Sequence, residues 1–180
     1  MRKLFFILIS FFSCSKIDEN GFKDYIIKKG NHRSVCKYKT TYNENFKLEV
    51  IFDESAQYQS VDPINQYDVN KLWGVSDCGQ GHMKSSIRFG WRWLNDTLEI
   101  LWFKHQFGEF DFETIATVEI NQVNNLELNI SDTEYTLSVN GVSKTTPRSC
   151  SGVYKKYILY PYFGGDEVAP HNIKIKLKGV

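Results

Sequence analysis

Ser85-Ser86-Ile87-Arg88-Phe89-Gly90-Trp91-Arg92-Trp93-Leu94-Asn95-Asp96-Thr97-Leu98-Glu99-Ile100-Leu101-Trp102-Phe103-Lys104-His105 is the stretch whose reading decides the fold. Two apolar-rich runs flank a short polar turn, and successive side chains of a strand point to opposite faces. With the turn at 94–97, Trp93 stands opposite Leu98, Trp91 opposite Ile100 and Phe89 opposite Trp102. That face is apolar without a break, so it is the one that seeks a core. The other face pairs Arg92 with Glu99, Gly90 with Leu101 and Arg88 with Phe103. The three tryptophans are therefore packing groups, not a sugar-stacking platform.

Outward from this hairpin the pattern repeats. Runs rich in Val, Ile, Phe, Tyr, Trp and Thr predict strands at 34–42, 46–53, 85–93, 98–105, 110–120, 125–130, 135–140, 142–146, 154–160 and 172–178. Asn140-Gly141 sits between two alternating runs, the strongest short signal for a tight hairpin. No segment keeps a helical period. Many antiparallel strands without helical runs predict an all-β sandwich or barrel. The stretch 60–81 reads as a long polar loop.

Composition bounds the function classes. Aromatics reach 15% and only 4 residues are proline, which predicts an ordered chain, not a low-complexity one. Net charge is +1, so no global field favours nucleic acid or a membrane surface. There is no phosphate loop, dinucleotide fingerprint or RNA-binding aromatic signature.

The N-terminus reads as an export signal: basic Arg2-Lys3, an apolar run from Leu4 to Phe12, then Ser13 and Cys14 before a polar stretch. The apolar run is far shorter than the ~20 residues of a membrane-spanning helix. Phe11-Phe12-Ser13-Cys14 resembles the lipobox of bacterial lipoproteins, with Phe11 and Phe12 where that motif usually has a leucine and a small residue. The resemblance implies that Cys14 becomes the lipid-bearing first residue, anchored by buried acyl methylenes at ~0.8 kcal/mol each. Expected boundaries are 1–13 for the signal peptide, 14–22 for a tether and 23–180 for a single domain. The expected location is the outer membrane or cell surface of a Gram-negative bacterium. Cys36, Cys78 and Cys150 remain, and outside the cytoplasm one pair can persist as a disulfide. Three pairings are open; Cys78 with Cys150 is favoured because both lie in Gly/Ser-containing loops.

Four further stretches carry a wider resemblance: Phe52-Asp53-Glu54-Ser55-Ala56, Asp62-Pro63-Ile64-Asn65-Gln66-Tyr67-Asp68, Arg88-Phe89-Gly90-Trp91-Arg92-Trp93, and the tail 159–173 beginning Leu159-Tyr160-Pro161-Tyr162-Phe163-Gly164-Gly165-Asp166-Glu167. Together they resemble a group of uncharacterised lipoproteins with a concanavalin-like, laminin-G-like jelly-roll domain. The resemblance implies an antiparallel β-sandwich of jelly-roll type. Such folds host lectins, hydrolases, lyases and adhesion modules, so the fold leaves the function open.

Three residue sets invite chemistry. Glu109-Phe110-Asp111-Phe112-Glu113 is similar to the Glu-x-Asp-x-Glu strand of jelly-roll glycoside hydrolases. That resemblance implies Glu109 as nucleophile, Asp111 as its helper and Glu113 as general acid/base, because i, i+2 and i+4 share one strand face. A hairpin turn at Phe107-Gly108, however, sets Asp111 beside Lys104 and Glu113 beside Trp102, where a surface ion pair accounts for them. In the loop, Asp62, Asn65 and Asp68 offer oxygens for Ca²⁺, and in the tail Asp166 and Glu167 are further candidates for a divalent ion. The basic set Arg88, Arg92, Lys104, His105 and His82 suits a carboxylate or sulfate if its face is concave. The leading expectation is a non-enzymatic module binding a glycan or an envelope partner through Arg88, Arg92 and His82, with no cofactor required. The alternatives are a glycan hydrolase and a structural subunit of an envelope complex.

Overall fold

The computed structural model describes residues 17–34 and 38–179. The expected signal segment with Cys14, and Cys36, lie outside the described residues. Among the described residues twelve strands appear in chain order: β1 (Lys23–Ile27), β2 (Thr40–Thr41), β3 (Asn45–Phe52), β4 (Asn70–Ser76), β5 (Ser85–Leu94), β6 (Thr97–Gln106), β7 (Glu109–Val118), β8 (Asn124–Ile130), β9 (Glu134–Val139), β10 (Val142–Pro147), β11 (Lys156–Leu159) and β12 (Ile173–Lys178). They form two six-stranded sheets, one in the order β1-β12-β3-β8-β9-β10 and the other β2-β11-β4-β5-β6-β7. All pairings are antiparallel.

The central hairpin has the register its pattern predicts: Phe89 faces Trp102, Trp91 faces Ile100 and Trp93 faces Leu98. Asn95 and Asp96 both take positive φ, 51° and 57°, the geometry of a tight turn that matches the strand twist. The Asn140-Gly141 turn repeats it at 49° and 87°. Trp91 is fully buried and Trp102 nearly so, in one core with Trp73, Phe52 and Tyr135 between the sheets.

β4 corrects the reading of 60–81 as a loop. It is a central strand, paired with β5 on one side and β11 on the other. A register shift between Lys71 and Trp73 breaks its two-residue alternation, which hid it in the sequence. Around it, the 3-10 turns Glu54–Ala56 and Pro63–Tyr67 are capped by the carboxylates of Asp53 and Asp62. Residues 17–22 fold back on β1, where Phe22 is buried and Asp18 pairs with Lys176 at 2.9 Å.

The two sheets differ on their outer faces. Strands β8, β9 and β12 alternate buried and open positions, so their outer face meets solvent. β5 is buried at every residue from Ser85 to Trp91, and β6 from Ile100 to His105. A strand buried on both faces needs a second cover. Here loops and the tail rise above the outer face and make it the floor of a recess.

At the end of the sandwich Asp77 ties the sheets together. Its carboxylate accepts from Arg148 Nε at 2.7 Å and Nη2 at 3.1 Å and from the Tyr135 hydroxyl at 2.8 Å. The Lys156 ammonium lies 3.9 Å away. Beside this cluster Cys78 and Cys150 are joined in a disulfide.

Candidate functional site

The recess is an open groove of about 1230 Å³ on the outer face of β11, β4, β5, β6 and β7. Register lays out its floor. Gly74, Arg88, Phe103 and Phe112 lie side by side across β4 to β7, with Ser76, Ser86, His105 and Phe110 in the neighbouring row. Gly74 has a steric reason. A Cβ there would strike the Ile87 carbonyl oxygen and stand 2.6 Å from Arg88 Cα and 2.8 Å from its Cγ, so glycine is what lets the backbone of β5 and the Arg88 side chain come this close.

Arg88 is 7% exposed, and its Nε has no hydrogen-bond partner among the described residues. Burial pulls its pKa down to about 10, partly offset by the nearby Tyr157 and Tyr162 hydroxyls. A buried guanidinium N–H without an acceptor carries a desolvation cost of ~1–3 kcal/mol. The basic groups packed around it show the same crowding. Lys71 is pulled down to about 8 by burial and then by Arg88. His105 falls to about 4 through burial, with Arg88, Lys71 and His82 adding repulsion. His82 is lowered by burial, Arg88 and Arg33. Each basic group thus makes its neighbours harder to protonate, and a bound anion relieves all of them at once.

Two walls flank the floor. On one side, the turn 62–68 is buckled to the tail by Glu167, whose carboxylate accepts from the Val61 and Asp62 N–H groups, both at 2.8 Å, and from Asn65 Nδ2 at 2.9 Å. Gly164 makes the tail turn possible: its φ is 82°, and a Cβ would strike the Glu167 carbonyl. On the other side, His82 and Met83 come from the loop after the disulfide. The Tyr157 hydroxyl holds that loop through the His82 backbone N–H and through His82 Nδ1 at 3.0 Å. Aromatic surface is plentiful. Phe103 and Phe112 are nearly parallel with centroids 6.2 Å apart, and the Lys71 ammonium lies 4.5 Å from the Phe103 centroid.

The candidates named from sequence divide. Arg88, His82 and His105 meet in the groove. Arg92 does not reach it: Nε binds Glu99 at 2.7 Å, Nη1 donates to the Tyr67 carbonyl at 3.0 Å, and the guanidinium rests by Phe112. Lys104 points the other way and donates to Thr146 Oγ1 at 2.9 Å and the Pro147 carbonyl at 3.1 Å.

Glu109, Asp111 and Glu113 also stand on the face of β7 away from the groove, because Phe110 and Phe112 take the groove side. This differs from the cleft-lining triad that the motif implies. Glu113 there accepts from Lys144 at 2.7 Å and from Trp102 Nε1 at 3.3 Å. The oxygens proposed for Ca²⁺ do not converge either. Asp62 caps its own turn, Asn65 gives its N–H to Glu167, and the Glu167 oxygens are occupied by N–H donors. Asp166 and Asp68 line the groove instead. Lys71, Tyr157 and Tyr162 are groove residues that the sequence reading missed. Lys71 was legible only if 70–76 had been taken as a strand.

No family model matches the chain, and no curated protein matches its sequence. Solved structures do. The chain is similar to the alginate lyase AlyC3, with a TM-score of 0.62 and 8% identity over 91% of this chain and 75% of that one. The same lyase in complex with dimannuronate gives 0.57 at 8% identity, over 91% and 74%. The alginate lyase AlyA1 from Zobellia galactanivorans gives 0.52 at 11%, over 89% and 76%. The catalytic domain of a laminarinase from Thermotoga petrophila gives 0.54 at 12%, over 89% and 76%. At such identities the likeness speaks for the fold, and by that measure the chain is an antiparallel jelly-roll β-sandwich.

Proposed function

We propose that this domain binds an acidic, carboxylate-bearing glycan chain in the groove, displayed outside the cytoplasm on a lipid at Cys14. The observation that carries the reading is Arg88: a nearly buried guanidinium with an unpartnered Nε, in the floor of an open groove shared with Lys71, His82 and His105. A carboxylate accepts from such a fork in charge-assisted bonds about twice as strong as neutral ones. Aromatic side chains around it supply faces for the apolar edges of sugar rings. Structural neighbours named as alginate lyases, one of them with dimannuronate, support the choice of a uronate over other anions.

One observation favours a second reading, eliminative cleavage. His82 and Tyr157 share a hydrogen bond of 3.0 Å, and both line the groove with Arg88. Neutralising a uronate carboxylate acidifies the ring proton beside it. A neutral base removes that proton, the bond to the neighbouring glycosidic oxygen breaks, a ring double bond forms, and a hydroxyl returns a proton to the leaving oxygen. A neutral imidazole and a phenol are the groups for those two transfers.

Both readings share one experiment. Polymannuronate is titrated into the protein calorimetrically while the ultraviolet absorbance of unsaturated product is followed. Wild type is expected to bind, and Arg88→Ala to lose about 10- to 100-fold in affinity, the worth of a charge-assisted contact of ~1.5–3 kcal/mol. Equal affinity in the two proteins overturns the binding reading. Binding without any rise in absorbance leaves a binding module and removes the lyase.

A further inference from the structure

The groove is basic along its floor and acidic along one wall. Asp68, which ends the 3-10 turn Pro63–Tyr67, and Asp166 of the tail turn both line it. Their positions are tied together. The Asp166 backbone N–H donates to Asp68 Oδ2 at 3.3 Å, and a Cβ on Gly165 would lie 2.7 Å from the same oxygen. Asp68 is thus held against the 164–166 turn, near enough to Lys71 to favour its charged form.

Register gives this wall a direction. Lys71 lies opposite Gly90, whereas Arg88 lies opposite Gly74 and Ser86 opposite Ser76. Passing along the strands from Asp68, the lining runs from acid to Lys71, then Arg88, then His82 and Tyr157. A sugar whose carboxylate meets Arg88 and Lys71 must turn another edge toward Asp68 and Asp166. Ionised carboxylates only accept hydrogen bonds, so they suit ring hydroxyls, and they repel any anion placed on that edge.

We infer that the groove takes polyuronates whose ring hydroxyls are free and rejects the same chains once those hydroxyls are sulfated, with Asp68 and Asp166 setting the choice. This rests on the acidic-glycan reading above and names its ligand class more narrowly. It runs against the simplest electrostatic expectation, since sulfation adds negative charge to a ligand entering a basic groove.

The test compares polymannuronate oligosaccharides with the same oligosaccharides O-sulfated, at one ionic strength. The proteins are wild type, Asp68→Asn/Asp166→Asn, Asp166→Asn and Arg88→Ala. A like charge within reach shifts an ionisation by one pH unit or more, so wild type should prefer the unsulfated chain by about tenfold or more. The double variant should lose most of that preference by gaining affinity for the sulfated chain. Asp166→Asn keeps the backbone N–H that Asp68 accepts, so it should shift selectivity the same way, by less, without a folding cost. Equal or tighter binding of the sulfated chain by wild type overturns the inference, as does an unchanged ratio in both Asp variants. Failure of wild type to bind either chain, or undiminished binding by Arg88→Ala, instead overturns the acidic-glycan reading and the selectivity with it. Where wild type binds and Arg88→Ala does not, the wild-type preference and its change in the Asp variants together decide the inference.

Discussion

Lys71 lies between an acid and a cation, with Asp68 favouring its charge and Arg88 opposing it, and its ammonium donates to the Gly164 carbonyl at 3.3 Å. Burial and Arg88 together bring its pKa to about 8 from the usual lysine value. The sign follows from proton counts. Between pH 8 and the unfolded value the unfolded chain binds more protons, so Lys71 makes stability rise with pH there, and its charged form costs stability below. Ligand affinity runs the opposite way. As pH rises through 8 the groove loses a positive charge, so polymannuronate affinity should fall by about fivefold between about pH 7 and pH 9, the worth of roughly 1 kcal/mol. Lys71→Arg should bind evenly over the same range, measured by titration at fixed ionic strength. A pH-independent wild type would show that Lys71 does not touch the ligand's charge. At this scale the sequence was half legible. Arg88 could be placed on the outward face because its hairpin alternates cleanly, whereas Lys71 lies beside a bulge where period-two counting fails.

The elements differ in the same way. β5 and β6 announce themselves because each has one continuous apolar face and a two-residue turn whose residues tolerate positive φ. β4 does not, since its outer face is covered by the tail and its inner face by the core, which removes the polar alternation that marks a half-exposed strand. Its end is where the sheets are locked. Asp77 follows β4, Tyr135 lies in β9 and Arg148 just beyond β10 of the opposite sheet, and the Asp77 and Arg148 side chains are wholly buried. Removing one charge of such a pair strands the other in a low-dielectric site. Asp77→Asn should therefore cost about 3–5 kcal/mol in denaturant unfolding. Replacing the carboxylate without such a loss would mean that Arg148 is satisfied by the Ser131 and Gly152 carbonyls, which it also reaches at 2.7 and 2.8 Å, and by the Glu44 carboxylate at 3.9 Å. The same variant should loosen the loop that carries His82, because Asp77 lies next to Cys78 and its disulfide.

At the scale of the whole molecule, the groove is assembled from segments far apart in the chain: the turn after residue 60, the loop around His82, and the tail from Tyr157 to Asp166. The disulfide fastens the loop that carries His82 to the segment leading into β11 across 72 residues, which by loop entropy alone stabilises the fold by about 4 kcal/mol. The proposed export and anchoring also belong to this scale. Labelled palmitate should enter the wild-type protein in a Gram-negative host and be absent from Cys14→Ala; label in both, or in neither, would refute lipidation at that residue. The sequence by itself determined the β class, the core face of the central hairpin and its register, because those follow from local alternation and turn chemistry acting within a few residues. The tertiary structure decided which outward-facing residues make a site. Arg88, Arg92, Lys104 and the carboxylates of β7 look alike in sequence as charged residues on alternating strands. Only the packing of the tail and two loops over one sheet desolvates Arg88 and leaves its Nε without a partner, while Arg92 and Lys104 find acceptors and Phe110 and Phe112 turn the carboxylates away. Desolvation depends on neighbours distant in the chain, Tyr157 and Tyr162 among them, and no local pattern encodes it.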